Sequence, residues 1–432
     1  MRRYWIGKYM KGDYMKTYGF LGVLLVFSVC NAIGPALNVQ IPVTSEACSS
    51  FCLDNNDYAV FGTNYDHYKV YEGLVFVNKR NVLKKGWETS TIDEYAVWIS
   101  KYGSVTFNLV GYQFVWGGMN EAGLVISTMN LSYATQTPYP DERPPLSSGF
   151  WMQYLLDTCS TVEEVIACDS QVRISNGGDH YLVCDRTGAC AVIEYIDGHL
   201  VCHTGDTMPV KALTNHTYRE SVRTWQESDI YPITNTSLRR FSIVADKVKA
   251  FNPDGQESAI DYAFDTLEQV KGENMGRSNT FWSIVFDTEN YCIYFRTKMN
   301  PHIRYIEVPQ LDFSCTTPVM MLDVNEGLSD NITTDFKEYS YTTNRVHMTQ
   351  FFEKWGIDIS SESIRTLCQH FDAFPCLRRT YEDSKISDTL PPNGHTFGDT
   401  NTGNVELPCL FIIIVISCMS FFIYRSKREV TP

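Results

Sequence analysis

The stretch Ala47-Cys48-Ser49-Ser50-Phe51-Cys52-Leu53, followed by Val60-Phe61-Gly62-Thr63-Asn64-Tyr65-Asp66, decides how the rest of the chain is read. A cysteine opens a strand, a turn follows, and a second strand returns an Asn-x-Asp sequence beside the first. A thiol at one end of a hairpin with a carboxylate delivered next to it becomes a reactive pair under one condition. If Cys48 is the first residue of the mature protein, its own α-amine, with a reference pKa of ~7.7–8.0, serves as general base for the thiol. Without that condition, composition favours a plainer reading in which Cys48 is half of a disulfide with Cys52 or another cysteine.

The N-terminal sequence bears on this choice. Met15-Lys16 and the apolar run Tyr18 to Val29 have the make-up of a secretory signal, and Cys30-Asn31-Ala32 offers a small-x-small cleavage site. The run is short for a membrane span, so residues 1–32 read as a cleaved signal peptide. Residues 33–47 then read as a propeptide, removed by Cys48 itself or by another protease. Direct cleavage after Ser45-Glu46-Ala47 also fits by residue type. Near the other end, residues 407–424 are apolar and, at ~1.5 Å per residue, reach about 27 Å, enough for one crossing. Arg425-Ser426-Lys427-Arg428 follows, and a basic flank belongs on the cytoplasmic side. A GPI signal is the competitor, but such signals end without a basic segment. The expectation is a single-pass type I membrane protein: domain outside the cytosol, polar stalk over 378–406, transmembrane helix over 407–424, cytoplasmic tail over 425–432.

Cysteine usage agrees with an oxidising compartment. Setting aside Cys30, Cys48, Cys409 and Cys418 leaves ten cysteines, an even count suited to disulfides. Cys184 and Cys190 bracket the turn Asp185-Arg186-Thr187-Gly188 and are expected to pair. Cys159 with Cys168, and Cys368 with Cys376, are further local candidates. No paired C-x-x-C or H-x-x-x-H spacing supports a metal, and no cofactor is expected. A net charge of −14 argues against a nucleic-acid partner, which needs clustered Lys and Arg. Sequons stand at Asn130, Asn215, Asn235 and Asn331.

From Cys48 onward the chain alternates strand and helix blocks. Strands are expected through residues 51–53, 58–62, 73–78, 104–110, 114–116 and 124–130, then helices over 149–158 and 161–168, with Ser160 as N-cap. A second strand block covers 180–184, 189–195, 199–202 and 211–215. Helices follow over 217–227, 239–250 and 259–270, and strands over 280–287, 292–297 and 303–308 close the domain. This order predicts two packed sheets between helical layers, in one domain spanning 48–325. Residues 326–377 read as a small helical extension.

The ordered set Cys48-Ser49-Ser50-Phe51, Gly62-Thr63-Asn64-Tyr65-Asp66, Gly118-Met119-Asn120-Glu121-Ala122-Gly123-Leu124, Leu213-Thr214-Asn215 and Arg240-Phe241 resembles the linear amide C–N hydrolases, the choloylglycine hydrolase and penicillin V acylase family. The resemblance runs from Cys48 to about Val308. It implies the α+β, four-layer αββα fold of the N-terminal-nucleophile hydrolases. It also implies roles: Cys48 as nucleophile, Asp66 as the carboxylate binding its α-amine, Asn130 and Asn215 at the oxyanion site, and Arg240 as the cation near the thiol. Members commonly carry Arg where Thr63 stands, so one cation fewer is expected here. Tyr65, Trp116, Met129 and Trp282, with Thr63, are candidates for contacting substrate. Without the resemblance each has a plain reading: strand aromatics are core, Asn130 is a strand-end glycosylation site, and Arg240 beside Arg239 is a solvated helix charge.

Two function classes follow. One is an amide hydrolase acting on a small N-acyl substrate, with an acyltransferase using the same thioester as its close variant. The other is a membrane-anchored binding glycoprotein that keeps the domain without the chemistry. A homo-oligomer is compatible with either. Exposure of Cys48 as an N-terminus discriminates them.

Overall fold

The computed structural model describes residues 48–377, except 55–58, 68–71, 88–95, 132, 177, 229–232, 253–257, 273–277 and 328–329. The expected signal peptide, propeptide, stalk, transmembrane helix and tail lie outside the described residues. Among the described residues, no helix is long and apolar enough to cross a membrane.

The opening stretch forms the antiparallel hairpin of β1 (Ser49–Asp54) and β2 (Ala59–His67), in a register that sets Ser49 opposite Asn64 and Phe51 opposite Gly62. All nine residues of β2 are buried, because both faces of its sheet are covered. Period-two alternation sends Phe61, Thr63 and Tyr65 toward the second sheet, where Thr63 Oγ1 lies 3.0 Å from Ser127 Oγ. Asn64 points the other way, and its Nδ2 donates to the Leu267 carbonyl of a covering helix at 2.9 Å.

Further strands are β3 (Leu74–Asn78), β4 (Ser104–Asn108), β5 (Val115–Asn120), β6 (Val125–Asn130), β7 (Asp179–Cys184), β8 (Cys190–Ile196), β9 (His199–Thr204) and β10 (Ala212–Leu213). They are followed by β11 (Asn279–Asp287), β12 (Cys292–Thr297), β13 (Arg304–Glu307), β14 (Met320–Asp323), β15 (Asp330–Asn331) and β16 (Lys337–Glu338). The first sheet has seven strands in the order β10-β1-β2-β11-β12-β13-β15, and the second has nine in the order β9-β8-β7-β6-β5-β4-β3-β14-β16. Between them Phe61, Tyr65, Trp282 and Ile284 meet Val75, Phe107, Trp116 and Met129 in one apolar core.

The helices are α1 (Ser148–Thr158), α2 (Val162–Ala167), α3 (Tyr218–Gln226), α4 (Thr236–Ala250), α5 (Ala259–Gln269), α6 (Tyr341–Trp355) and α7 (Ser361–Asp372). Helices α4 and α5 cover the outer face of the first sheet through Phe241, Val244, Phe264 and Leu267. Helices α1, α6 and α7 form a second core with Ile126, Tyr181 and Ile193 of the second sheet. The result is an α+β sandwich layered helix, sheet, sheet, helix.

Several expectations are corrected. The cap of α2 is Thr161 rather than Ser160: Thr161 Oγ1 accepts from Glu164 N at 3.2 Å, while Ser160 donates its N–H and hydroxyl to the Glu164 carboxylate. The strand expected over 211–215 shrinks to Ala212–Leu213, because Thr214 and Asn215 turn away to bond Ser237. Helix α4 starts earlier than expected, at Thr236, since Asn235 Oδ1 caps it by accepting from Ser237 N at 2.9 Å.

Cys184 and Cys190 form the expected disulfide. Cys159 and Cys168 are thiols with their sulfurs 3.3 Å apart. The expected Cys368–Cys376 pair is wrong: Cys376 bonds Cys315, and Cys368 is a buried thiol 3.4 Å from Met348 Sδ. Cys368 faces inward from α7, whereas Cys376 lies past the helix in an extended segment bridged to Val82, which carries it to Cys315.

Candidate active site

Cys48 sits immediately ahead of β1, 2 % exposed, and bears a thiol rather than half of a disulfide. Its Sγ lies 3.8 Å from the backbone oxygen of Asp66, near the end of β2. The hairpin creates this proximity, because β1 pairs with β2 from Asp54 opposite Ala59 back to Ser49 opposite Asn64, which brings Cys48 alongside the Tyr65–Asp66 end of β2. The Asp66 side chain is fully buried, and its Oδ1 accepts from Thr280 Oγ1 at 2.5 Å. Thr280 is the residue paired with Asp66 across the β2–β11 ladder, and its Oγ1 accepts from the Gly272 N–H at 2.9 Å.

Arg240 comes from α4. The buried residues Ser237, Arg240, Phe241, Val244 and Ala245 follow helical spacing and form the face turned to the first sheet, while Arg239 points outward. Nη1 of Arg240 donates to the Cys48 carbonyl and to Ser49 Oγ (2.8 Å), and Nη2 donates to Asn215 Oδ1 (3.0 Å). Burial lowers the pKa of this guanidinium, and the negative charge available at Asp66 and Cys48 opposes that shift. Asn215 then reaches the second sheet, with Nδ2 donating to the Asn130 carbonyl at 3.1 Å, while its N–H donates to Ser237 Oγ at 2.9 Å. The five residues expected to carry chemistry, Cys48, Asp66, Asn130, Asn215 and Arg240, therefore meet at one end of the sandwich.

The substrate-contact candidates divide. Tyr65, Trp116 and Trp282 form one aromatic cluster, with ring centroids 5.3 Å (Tyr65–Trp116), 4.8 Å (Tyr65–Trp282) and 5.9 Å (Trp116–Trp282) apart. Met129, beside Asn130 on β6, is 1 % exposed and joins the same core. Thr63 sits in a closed hydroxyl trio instead: its Oγ1 is 2.7 Å from Ser50 Oγ and 3.0 Å from Ser127 Oγ. All are buried. A cleft of about 360 Å³ opens elsewhere, between the edge of the second sheet and α7, lined by Tyr112, Tyr339 and Phe371, and no candidate residue lines it.

Cys52, the expected alternative disulfide partner of Cys48, is also a buried thiol and points between the sheets like Cys48. Burial pushes its thiol up to about 12 despite the nearby charge of Lys211. The sulfurs of Cys52, Cys184 and Cys190 lie within 4.8 Å of one another, yet the disulfide removes two of them from metal ligation. Sequence reasoning missed Ser49, Thr280 and Ser237. Their hydroxyls carry no distinguishing signal, although Ser49 could have been found as the β1 residue facing α4.

The family described as acyl-coenzyme A:6-aminopenicillanic acid acyl-transferase matches residues 53–301. Penicillin V acylase of Pectobacterium atrosepticum is 24% identical over 323 residues, which cover 62% of this chain and 83% of that protein. The structure of penicillin V acylase from Agrobacterium tumefaciens aligns with a TM-score of 0.59 at 25% identity, covering 68% of this chain and 98% of that one. A variant of conjugated bile acid hydrolase from Clostridium perfringens aligns with a TM-score of 0.54 at 19% identity, over 65% of this chain and 98% of that one, a likeness of fold.

Proposed function

Because the chain belongs to the acyl-coenzyme A:6-aminopenicillanic acid acyl-transferase family, we propose that it is a hydrolase of linear amide C–N bonds working through an N-terminal cysteine. Removal of the residues before Cys48 converts its amide nitrogen into a free amine. That amine takes the thiol proton, and the thiolate attacks the acyl carbon of an N-acyl substrate. Asn130 and Asn215 stabilise the tetrahedral oxyanion while Arg240 favours the thiolate and Asp66 orients the ammonium. The C–N bond breaks as the leaving amine takes the proton back. Water, deprotonated by the same amine, then hydrolyses the thioester to release the acid and the thiol. Tyr65, Trp116, Met129 and Trp282 supply an acyl-binding wall, and the absence of a cation at Thr63 favours an uncharged acyl group. Tethering by residues 407–424 would place this chemistry beside a membrane, outside the cytosol.

The observation that carries the reading is the Arg240 guanidinium, buried yet bonded to the Cys48 carbonyl, Ser49 and Asn215 at once. The family description favours a second outcome for the thioester, capture by an acceptor amine instead of water, with the first half-reaction unchanged. Intact-mass and N-terminal peptide analysis of the chain expressed through a secretory pathway tests the proposal. A mature N-terminus at Cys48, unmodified Asn130 and Asn215, and turnover of fatty-acyl and phenylacetyl 4-nitroanilides are expected. A chain beginning near Ile33 with no turnover would leave a binding glycoprotein in its place.

A further inference from the structure

His180 lies on β7, one step beyond the Tyr181–Ile193 pair, and is fully buried. Its Nδ1 is 3.0 Å from Glu194 Oε1 on β8, and its Nε2 is 2.5 Å from the Thr214 carbonyl. A carbonyl only accepts, so Nε2 carries hydrogen. Burial alone would raise the Glu194 carboxyl, but hydrogen bonds from His180 and His203, the charge of His180 and the Tyr218 amide hold it down at about 2. Nδ1 faces the Glu194 carboxyl, so the one ring bridges Glu194 and Thr214.

Glu194 Oε1 also accepts from the Tyr218 N–H at 2.9 Å, at the first residue of α3. The pair thus grips both ends of residues 214–218, the turn that leaves edge strand β10 of the first sheet, and ties that turn to the second sheet. Asn215 lies inside the turn, and its side chain bridges Arg240 and the Asn130 carbonyl. A buried polar pair adds little net stability compared with apolar residues of similar size, so its value here is the geometry it imposes. An oxyanion donor needs that geometry, because it acts only when held within about 0.5 Å of its productive position.

We infer that His180 and Glu194 are positioning residues, which hold the 214–218 turn so that Asn215 stays aimed at the developing oxyanion. The inference rests on the amide-hydrolase reading above. The test uses the full chain, matured through the secretory pathway, as H180A, H180Q, N215A and H180A/N215A, with phenylacetyl 4-nitroanilide as probe. H180A should lower kcat by about 10–100-fold, short of the loss of a whole donor, with KM within about threefold. H180Q, whose side-chain N–H still reaches Thr214, should recover part of the loss. The double variant should fall no further than N215A, because both changes act on one donor.

Additive losses, or a change confined to KM, would overturn the inference. Hydrogen exchange at the amides of residues 215–218 gives a readout independent of turnover: it should quicken in H180A and return toward the wild-type rate in H180Q. Unchanged exchange in H180A also overturns the inference. A wild-type chain that is unprocessed, or processed but inert, defeats the hydrolase reading instead, and the exchange experiment still judges His180.

Discussion

Arg240, at 1 % exposure, hydrogen-bonds the candidate residues Cys48 and Asn215 as well as Ser49, so its replacement tests geometry and charge separately. Lys keeps the charge but has no planar fork to reach the Cys48 carbonyl and Asn215 together. R240K is expected to cut kcat by about 10²-fold, in the range of one lost oxyanion-site contact, and to lower urea-unfolding stability by about 1–3 kcal/mol through the unsatisfied partners. Steady-state kinetics beside a urea titration measures both; near-wild-type turnover would remove Arg240 from the site. Cys52 makes the opposite case. With its thiol pushed up to about 12, it should resist iodoacetamide at pH 8, whereas mature Cys48 should label and lose activity. Peptide mapping after alkylation reads this directly, and C52A should leave turnover within about threefold. Arg240 was legible only as a family residue; read without the resemblance it is a solvated helix charge, and the fold turns it inward and Arg239 outward. The hydroxyls that bind the site together were not legible, because a serine or threonine reads alike in any turn or strand until its neighbours are known.

At the scale of elements, the sequence exposes what depends on local spacing and hides what depends on pairing. The turn at 185–188 and its disulfide are local and match the expectation, whereas the equally local Cys159 and Cys168 stay thiols and the strand expected over 211–215 is only Ala212–Leu213. The partner of Cys376 lies 61 residues away, across the extended segment that follows α7, and no local signal points to Cys315. The nine histidines form no pattern in sequence, yet the β7–β8 pairing sets His180 against Glu194. That pair has a pH signature. The Glu194 carboxyl is lowered from 4.5 to about 2 in the folded chain, so its stabilising contribution is complete above about pH 4.5 and fades as pH falls toward 2. Melting temperature followed from pH 6 to 2 should show wild type and E194Q well apart above pH 4.5 and converging near pH 2; a constant gap would refute the assignment. Lys84 and Asp157 form another fully enclosed ion pair, at 2.9 Å, with Trp98 Nε1 also donating to Asp157 at 2.7 Å. Burial lowers the lysine and raises the carboxyl, so each depends on the other for its charge. K84M leaves Asp157 without its cation and should cost about 3–5 kcal/mol in chemical denaturation, whereas removing one partner of the exposed Arg365–Glu362 pair should leave the denaturation midpoint nearly unchanged.

At the scale of the molecule, the chain continues well past the 53–301 family match, and the residues beyond it are built into the sandwich. Strand β14 pairs with β3 in the second sheet, and β15 pairs with β13 at the edge of the first. Trp355 of α6 packs on His67 at 4.8 Å between ring centroids, and His67 stacks on Tyr65 at 6.0 Å, so the C-terminal helices reach the candidate acyl wall. Met321, Met348, Phe351, Phe352, Ile364, Leu367 and Phe371 are all buried in the outer core. At about 1.5–3 kcal/mol for each buried side chain, their removal forfeits roughly 10–20 kcal/mol, as much as the whole stability of a typical domain, about 5–15 kcal/mol. The Cys315–Cys376 disulfide, closing 61 residues, contributes at most about 4 kcal/mol through chain entropy. These magnitudes separate two variants. A chain ending after residue 318 should fail to accumulate as folded protein, whereas the C315S/C376S double variant should fold and mature with a lower melting temperature. Limited proteolysis and thermal melting distinguish them. A truncated chain that melted like the full one would make residues 320–377 an appendage, and their contact with Tyr65 through Trp355 and His67 would then have no bearing on the acyl pocket.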